Sequence, residues 1–275
     1  MVKSKYPAFP YLLFMVIFIV VPLGMVAYFA FTNLDGKFSI ANIVEVANYS
    51  SVIIRSLWMA LVATVISLLL GYPFAYFMAR RTVHVRRTML MLITLPMWMN
   101  FLLRTYAWMT ILENNGLINR LLKLLGLGTL QLINTQGAVV LGMVYDYLPF
   151  MIIPLYTVLI KMDVSVIQAA QDLGGNPMEV FTRVILPLSV PGITTGVTMV
   201  FVPAVSTFII SRMLGGGSDL MIGDLIEMQF LGNTYNPNLG GAIAFVLMVI
   251  ILFCMSVMNQ FDSDKEEAEE EVVVI

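Results

Sequence analysis

Runs of about twenty apolar residues recur along this chain, and each is the length that carries a helix across the hydrocarbon core of a bilayer. They fall near Tyr11–Phe31, Ser56–Ala79, Thr88–Leu112, Gly137–Ile160, Val190–Ile210 and Gly240–Met258, which makes roughly six membrane helices. Composition agrees, because 59% of the residues are hydrophobic and only 12% charged. A soluble domain carries about twice that share of charge, so the excess apolar surface must face something other than water. The first run exceeds the ~7–15 apolar residues of a cleaved signal peptide, and no small-residue cleavage site closes it. It therefore reads as the first membrane helix. The expected fold class is all-α, a polytopic membrane protein. Residues 1–10 form a short cytoplasmic N-terminus, 11–260 the membrane domain, and 261–275 an acidic tail expected to be solvated and disordered.

Pro22, Pro73, Pro96, Pro149, Pro154 and Pro203 lie inside these runs. Each removes a helical hydrogen bond, and kinks in most spans point to a bundle that flexes or encloses a cavity. Orientation follows from the basic residues of short loops. Arg80, Arg81, Arg86 and Arg87 crowd the connection RRTVHVRR between the second and third runs, which places it in the cytoplasm. By alternation both termini and the loop near 161–189 are cytoplasmic as well, in agreement with Lys3 and Lys5. His84, the single histidine, reads as a solvated loop residue, and the single cysteine, Cys254, as a small apolar-run residue with no disulfide partner.

Between the fourth and fifth runs lies QAAQDLGGNPMEVFTRVILPLSVPGI, Gln168–Ile193. Asp163 or Ser165 can cap a first short helix, and Gly174-Gly175 ends it, since glycine accepts the left-handed closing turn. Asn176 caps a second helix, with Pro177 at its first position and Glu179 at its third. Phe181, Val184 and Ile185 continue an apolar stripe to Leu186-Pro187. Two short helices with a tight elbow result, with small side chains that let another surface approach. An amphipathic loop lying on the membrane is the plain alternative.

This stretch resembles the cytoplasmic loop of type I ATP-binding-cassette importer permeases, with Ala169, Ala170, Gly174, Ile185, Leu186 and Pro187 matching and Gln168 standing where a glutamate is usual. Leu70–Arg80, Leu95–Trp108, Leu148–Asp163 and Leu214–Leu231 are similar to segments of spermidine/putrescine importer permeases. The resemblance implies the MetI-like permease fold and a coupling loop that docks on an ATPase subunit. It also implies two ATPase subunits that hold ATP and Mg, a second permease that is a different chain, and an extracytoplasmic substrate-binding protein. Permeases for sulfate, molybdate, phosphate or ferric iron share the loop and remain the alternative for substrate.

The chain itself carries no GxxxxGK[ST] phosphate loop, no HExxH and no GxSxG. The reading is therefore a non-enzymatic subunit with no catalytic residues, no cofactor or metal of its own, and no nucleic-acid partner. An ATP-independent channel or carrier would need no docking loop and commonly shows inverted repeats, which the sequence does not display. Two ionisable residues lie inside apolar runs, where such groups face a cavity or a partner. Asp146, flanked by Tyr145 and Tyr147, suits an ammonium group, with aromatic faces for cation–π contact. The alternatives are an ion pair with Arg104 and a gate or assembly role. Trp98 is a further path candidate. On the outer face Asp219, Asp224 and Glu227, set against Arg212, are expected to form a net negative rim that favours cations.

Overall fold

The computed structural model describes residues 9–217, 219–232 and 235–273; Lys3 and Lys5 lie outside them. Two long helices open the chain, α1 (Pro10–Ala30) and α2 (Ala41–Ala79). Three shorter ones follow, α3 (Val83–Thr94), α4 (Phe101–Leu112) and α5 (Leu117–Leu124). Then α6 (Gln136–Lys161) leads into α7 (Val164–Asp172), and α8 (Pro177–Leu188) meets α9 (Val190–Ser206) at a bend of 63°. After α10 (Ile209–Leu214) and α11 (Ile222–Leu231) the chain ends in α12 (Pro237–Val273). No strand occurs among the described residues, where one isolated bridge, Thr32 to Phe38, closes the turn after α1.

α2 and α6 form the central pair, and α9 packs on both. The reason is a stripe of small buried residues on α2, Ser56, Ala60, Ala63, Ser67, Gly71 and Ala75, spaced three or four apart on one helix face. Lipid gives helices no hydrophobic reason to associate, so close backbone approach along such stripes supplies the packing. A Cβ on Gly71 would lie 3.0 Å from Met151 Cγ, and one on Gly196 of α9 would lie 2.8 Å from Met151 Sδ. The outer side chains of α1, such as Leu12, Phe18 and Leu23, are exposed, as lipid-facing positions require.

The first and last helices close on each other. The Asn238 side-chain amide donates to the Thr32 carbonyl at 2.7 Å, and Phe31 meets the Phe245 ring edge-on at 5.2 Å.

Two expectations need correction. The run Thr88–Leu112 is not one helix. Pro96 sits in a 3-10 turn, Leu95–Trp98, after which Met99 is extended (φ −77°, ψ 149°). Asn100 then restarts the chain as α4 by accepting hydrogen bonds from the Leu102 and Leu103 backbones at 2.9 and 3.4 Å. A missing N–H followed at once by a strong cap ends one helix and begins another. The fifth run also stops short of Ile210: α9 ends at Ser206, Thr207 is extended, and Ile210 belongs to α10. Four single helices (α1, α2, α6 and the Pro237–Met258 part of α12) are long and apolar enough to span, or five if the bent pair α8–α9 counts as one. The last helix, α12, runs on to Val273. The five glutamates near its end are strong helix formers.

Candidate functional site

At the arginine-rich end of the bundle, α7 and α8 form a bent arm. Asp163 starts α7, its carboxylate accepting from the Ser165 backbone at 2.9 Å. That bond, with the Ser165 side chain, holds the exposed Asp163 carboxyl below the usual carboxylate range. Asp163 is therefore the cap, and Ser165 is not. Gly174 takes a left-handed φ of 87°, and the Gly175 N–H closes back on the Ala170 carbonyl at 3.1 Å. Asn176 and Glu179 form a reciprocal capping box at 2.9 and 3.0 Å with Pro177 inside it. Each of these features follows from the residues read in sequence.

One feature of the arm does not. Phe181–Ile185 forms a single π turn. In a regular α-helix Val180 and Ile185 would point roughly 140° apart. The wider turn brings both to the same side, and both are buried. Phe181 then packs edge-on against the Tyr72 and Tyr76 rings of α2, at 5.7 and 5.9 Å. Where α8 bends into α9, the buried Ser189 hydroxyl donates to the Leu186 carbonyl at 2.9 Å. Its single proton is then used, so the Tyr72 hydroxyl, 2.9 Å away, donates to Ser189. Tyr72, Phe181 and Ser189 weld the root of the arm to the central pair. Nothing in local spacing marks Tyr72 for this role; its partner is 117 residues away.

The coupling candidates divide accordingly. Gln168, Ala169 and Leu186 are exposed, Ala170 and Pro187 half-buried, and Ile185 buried. No residue of α7 is buried, and Leu173 at the elbow is 89% exposed. Between the two arm helices lies a shallow cavity of about 400 Å³, lined by Ala170, Leu173, Gly174, Gly175, Val180 and Arg183 among others.

Within the bundle, Arg104 Nε of α4 stands 2.5 Å from Asp146 Oδ1 of α6, both side chains buried. The contact is off the hydrogen-bond axis, so it is an ion pair by proximity. Arg104 Nη1 also donates to the Pro96 carbonyl at 2.9 Å. One guanidinium thus bridges the break before α4 to the central helix. Of the other path candidates, Tyr145 stacks edge-on with Trp108 at 5.3 Å, and the buried Tyr147 hydroxyl reaches the Pro203 carbonyl at 3.5 Å. Tyr145 also lines an apolar groove of about 670 Å³ between α2 and α6. Trp98 is 89% exposed and does not join them.

At the acidic end lie the three carboxylates expected at the outer rim. Asp219 pairs with Arg55 of α2 at 3.3 Å and accepts from Gln136 at 3.1 Å. Glu227 pairs with Arg212, whose hydrogen bonds hold its carboxyl below the usual range. Asp224 is buried, accepting from Ser211 at 2.5 Å and from the Met221 backbone at 2.9 Å, and burial raises its pKa. Each carboxylate already has its partner. Hydropathy and local charge could not reveal Arg55, 164 residues from Asp219.

With a kinked helical bundle, an arm held off its end and the pairing geometry in view, the chain can be placed. Residues 71–262 match the family of binding-protein-dependent transport system inner membrane components, and the chain belongs to that family. It is a multi-pass inner-membrane protein, the permease subunit of an ATP-binding-cassette importer, and that family's role in the importer is non-catalytic. It is 36% identical over 268 residues to the spermidine/putrescine transport system permease protein PotB of Haemophilus influenzae, covering 93% of each chain. It is 36% identical over 247 residues to PotB of Escherichia coli, covering 86% of this chain and 90% of that one. Its fold matches a crystal structure of a bacterial ABC transporter involved in the import of the acidic polysaccharide alginate. That match has a TM-score of 0.70 at 19% identity over 91% of this chain and 93% of that one.

Proposed function

We propose that this permease forms half of a polyamine path and takes its driving motion from an ATPase docked on the α7–α8 arm. The observation that carries the reading is the arm itself: α7 fully buries none of its side chains, while α8 is fixed to the core through Val180, Ile185 and the Tyr72–Ser189 bond. A surface left bare yet rigidly rooted is what a transmitting contact requires. Spermidine and putrescine are proposed as substrates on the strength of the two relatives' names and of their identity over most of the chain. The arginine-rich end and both termini are assigned to the cytoplasm by the positive-inside rule.

The proposed assembly contains a second, different permease, two ATPase subunits carrying ATP and Mg, and an extracytoplasmic binding protein. A solved relative in complex with a periplasmic protein supports the last of these. Asp146 is assigned to Arg104 first: its charge meets an ammonium group only when Arg104 is displaced. The test is co-purification followed by reconstitution. An ATPase subunit should copurify with the wild type and be lost with Leu173→Asp, and proteoliposomes holding the whole assembly should take up labelled spermidine only with ATP. Cysteine labelling that finds Ala169 accessible only from outside the cell would overturn the docking.

A further inference from the structure

Where the arginine loop meets the root of the arm, the protein encloses a second cavity of about 330 Å³. Its walls come from five elements: Tyr76 and Ala79 of α2, Arg86 of α3, Leu159 and Ile160 of α6, Ile167 of α7 and Ile185 of α8. Arg80 and Arg86 are the only charged residues that line it. The Arg80 guanidinium lies 4.2 Å above the Tyr76 ring, which fixes its plane. Arg86 Nε is closed off from solvent and donates to no acceptor. Arg55, Arg104 and Arg212 each meet a carboxylate, but Arg80 and Arg86 meet none among the described residues. A guanidinium N–H withdrawn from water without an acceptor is costly, and an anion is what removes that cost.

We propose that this cavity binds the phosphate group of an anionic phospholipid. Two guanidinium groups supply forked donors for phosphate oxygens, and the apolar wall accepts the first methylenes of an acyl chain. The position fits the ligand, because Arg80 follows the last turn of α2, where a spanning helix reaches the headgroups. A free phosphate would use the arginines but leave the apolar wall unused. The ligand also bears on the arm. Ile167 and Ile185 belong to its two helices, so a seated lipid fills the space between arm and bundle. This inference goes beyond the transport reading and stands whatever the substrate is.

The test uses the full chain, delipidated in mild detergent and titrated with phosphatidylglycerol, phosphatidylcholine or inorganic phosphate, with bound lipid counted by native mass spectrometry. Phosphatidylglycerol should bind at one molecule per chain, in preference to phosphatidylcholine. Arg86→Gln should weaken it about fivefold, as expected for one lipid-facing arginine. Arg87→Gln, in the same helix but outside the cavity, should leave it unchanged. Equal loss in the two variants would reduce the effect to general surface charge and overturn the site. Displacement of the lipid by millimolar inorganic phosphate would overturn the lipid assignment in favour of a free anion. Retained lipid in Arg86→Gln, together with loss of a copurifying ATPase, would hand the cavity to a protein carboxylate and overturn it too. If Arg86→Gln does not fold, Ile167→Trp decides the matter: with both arginines in place it should expel the lipid by filling the apolar wall, and unchanged retention refutes the proposal.

Discussion

At the arginine-rich end, α7 and α8 keep their shape through hydrogen bonds between residues two to five positions apart, and leave Leu173 and Met178 exposed. At the opposite end, Asp219 and Glu227 are neutralised by arginines, and Ser56 of α2 reaches 166 residues along the chain to accept from the Ile222 backbone at 2.8 Å. The first end is locally self-shaping and unsatisfied in its apolar surface. The second finds partners for its carboxylates within the chain and gets its shape from the rest of the fold. The difference separates a surface built for a partner from one built for cohesion, and the two should respond differently to substitution.

The largest effect is expected in the interior that joins the two ends. Asp146→Asn leaves Arg104 buried without its counter-charge, a loss of about 3–5 kcal/mol. The melting temperature and the yield of assembled complex should fall together, while uptake per surviving complex stays near wild type. Unchanged yield with lost uptake would instead move Asp146 into the substrate path. Gly174→Val comes next, because a branched residue at φ 87° costs about 1–3 kcal/mol. That strain should stay in the arm: ATPase copurification drops, and hydrogen exchange quickens in 164–188 but not in α2 or α6. Equal destabilisation of the whole bundle would end the claim that the arm holds its own shape.

Tyr72→Phe removes one buried hydrogen bond, about 0.5–1.5 kcal/mol. It should spare ATPase docking yet lower the substrate moved per ATP hydrolysed, since only the root of the arm loosens. The smallest effect is a pH dependence at the acidic end. Glu227 has a lowered pKa, so its contribution to stability is present above the unfolded carboxylate range and is lost as pH falls through its folded value. Asp224, raised by burial, has the opposite sign: its contribution is present below the unfolded range and is lost as pH rises through its folded value. Glu227→Gln should therefore make the protein gain relative stability on acidification, and Asp224→Asn should do the reverse, read as melting temperature against pH.

Much of this molecule could be read from sequence where the cause is local. The lengths of the apolar runs located α1, α2, α6 and α12, and the elbow was legible because Asp163, Gly174, Asn176 and Glu179 each act within a few residues of themselves. A hydropathy run averages over its members, so it passed across Pro96 and Asn100 and joined two helices that the structure separates. The carboxylates near residue 220 were visible, but Arg55 was not recognisable as a partner without the fold. The weld of Tyr72 to Ser189 was invisible for the same reason, as was the turn that aligns Val180 with Ile185.

The clasp between Thr32 and Asn238 sets an order on biosynthesis. Those residues lie 206 positions apart, so α1 meets α12 only after the whole of the intervening chain has been made. Until then its greasy flank is sheltered by lipid or by the insertion machinery. Truncation before Pro237 would strand it there permanently, a helix that never finds its mate.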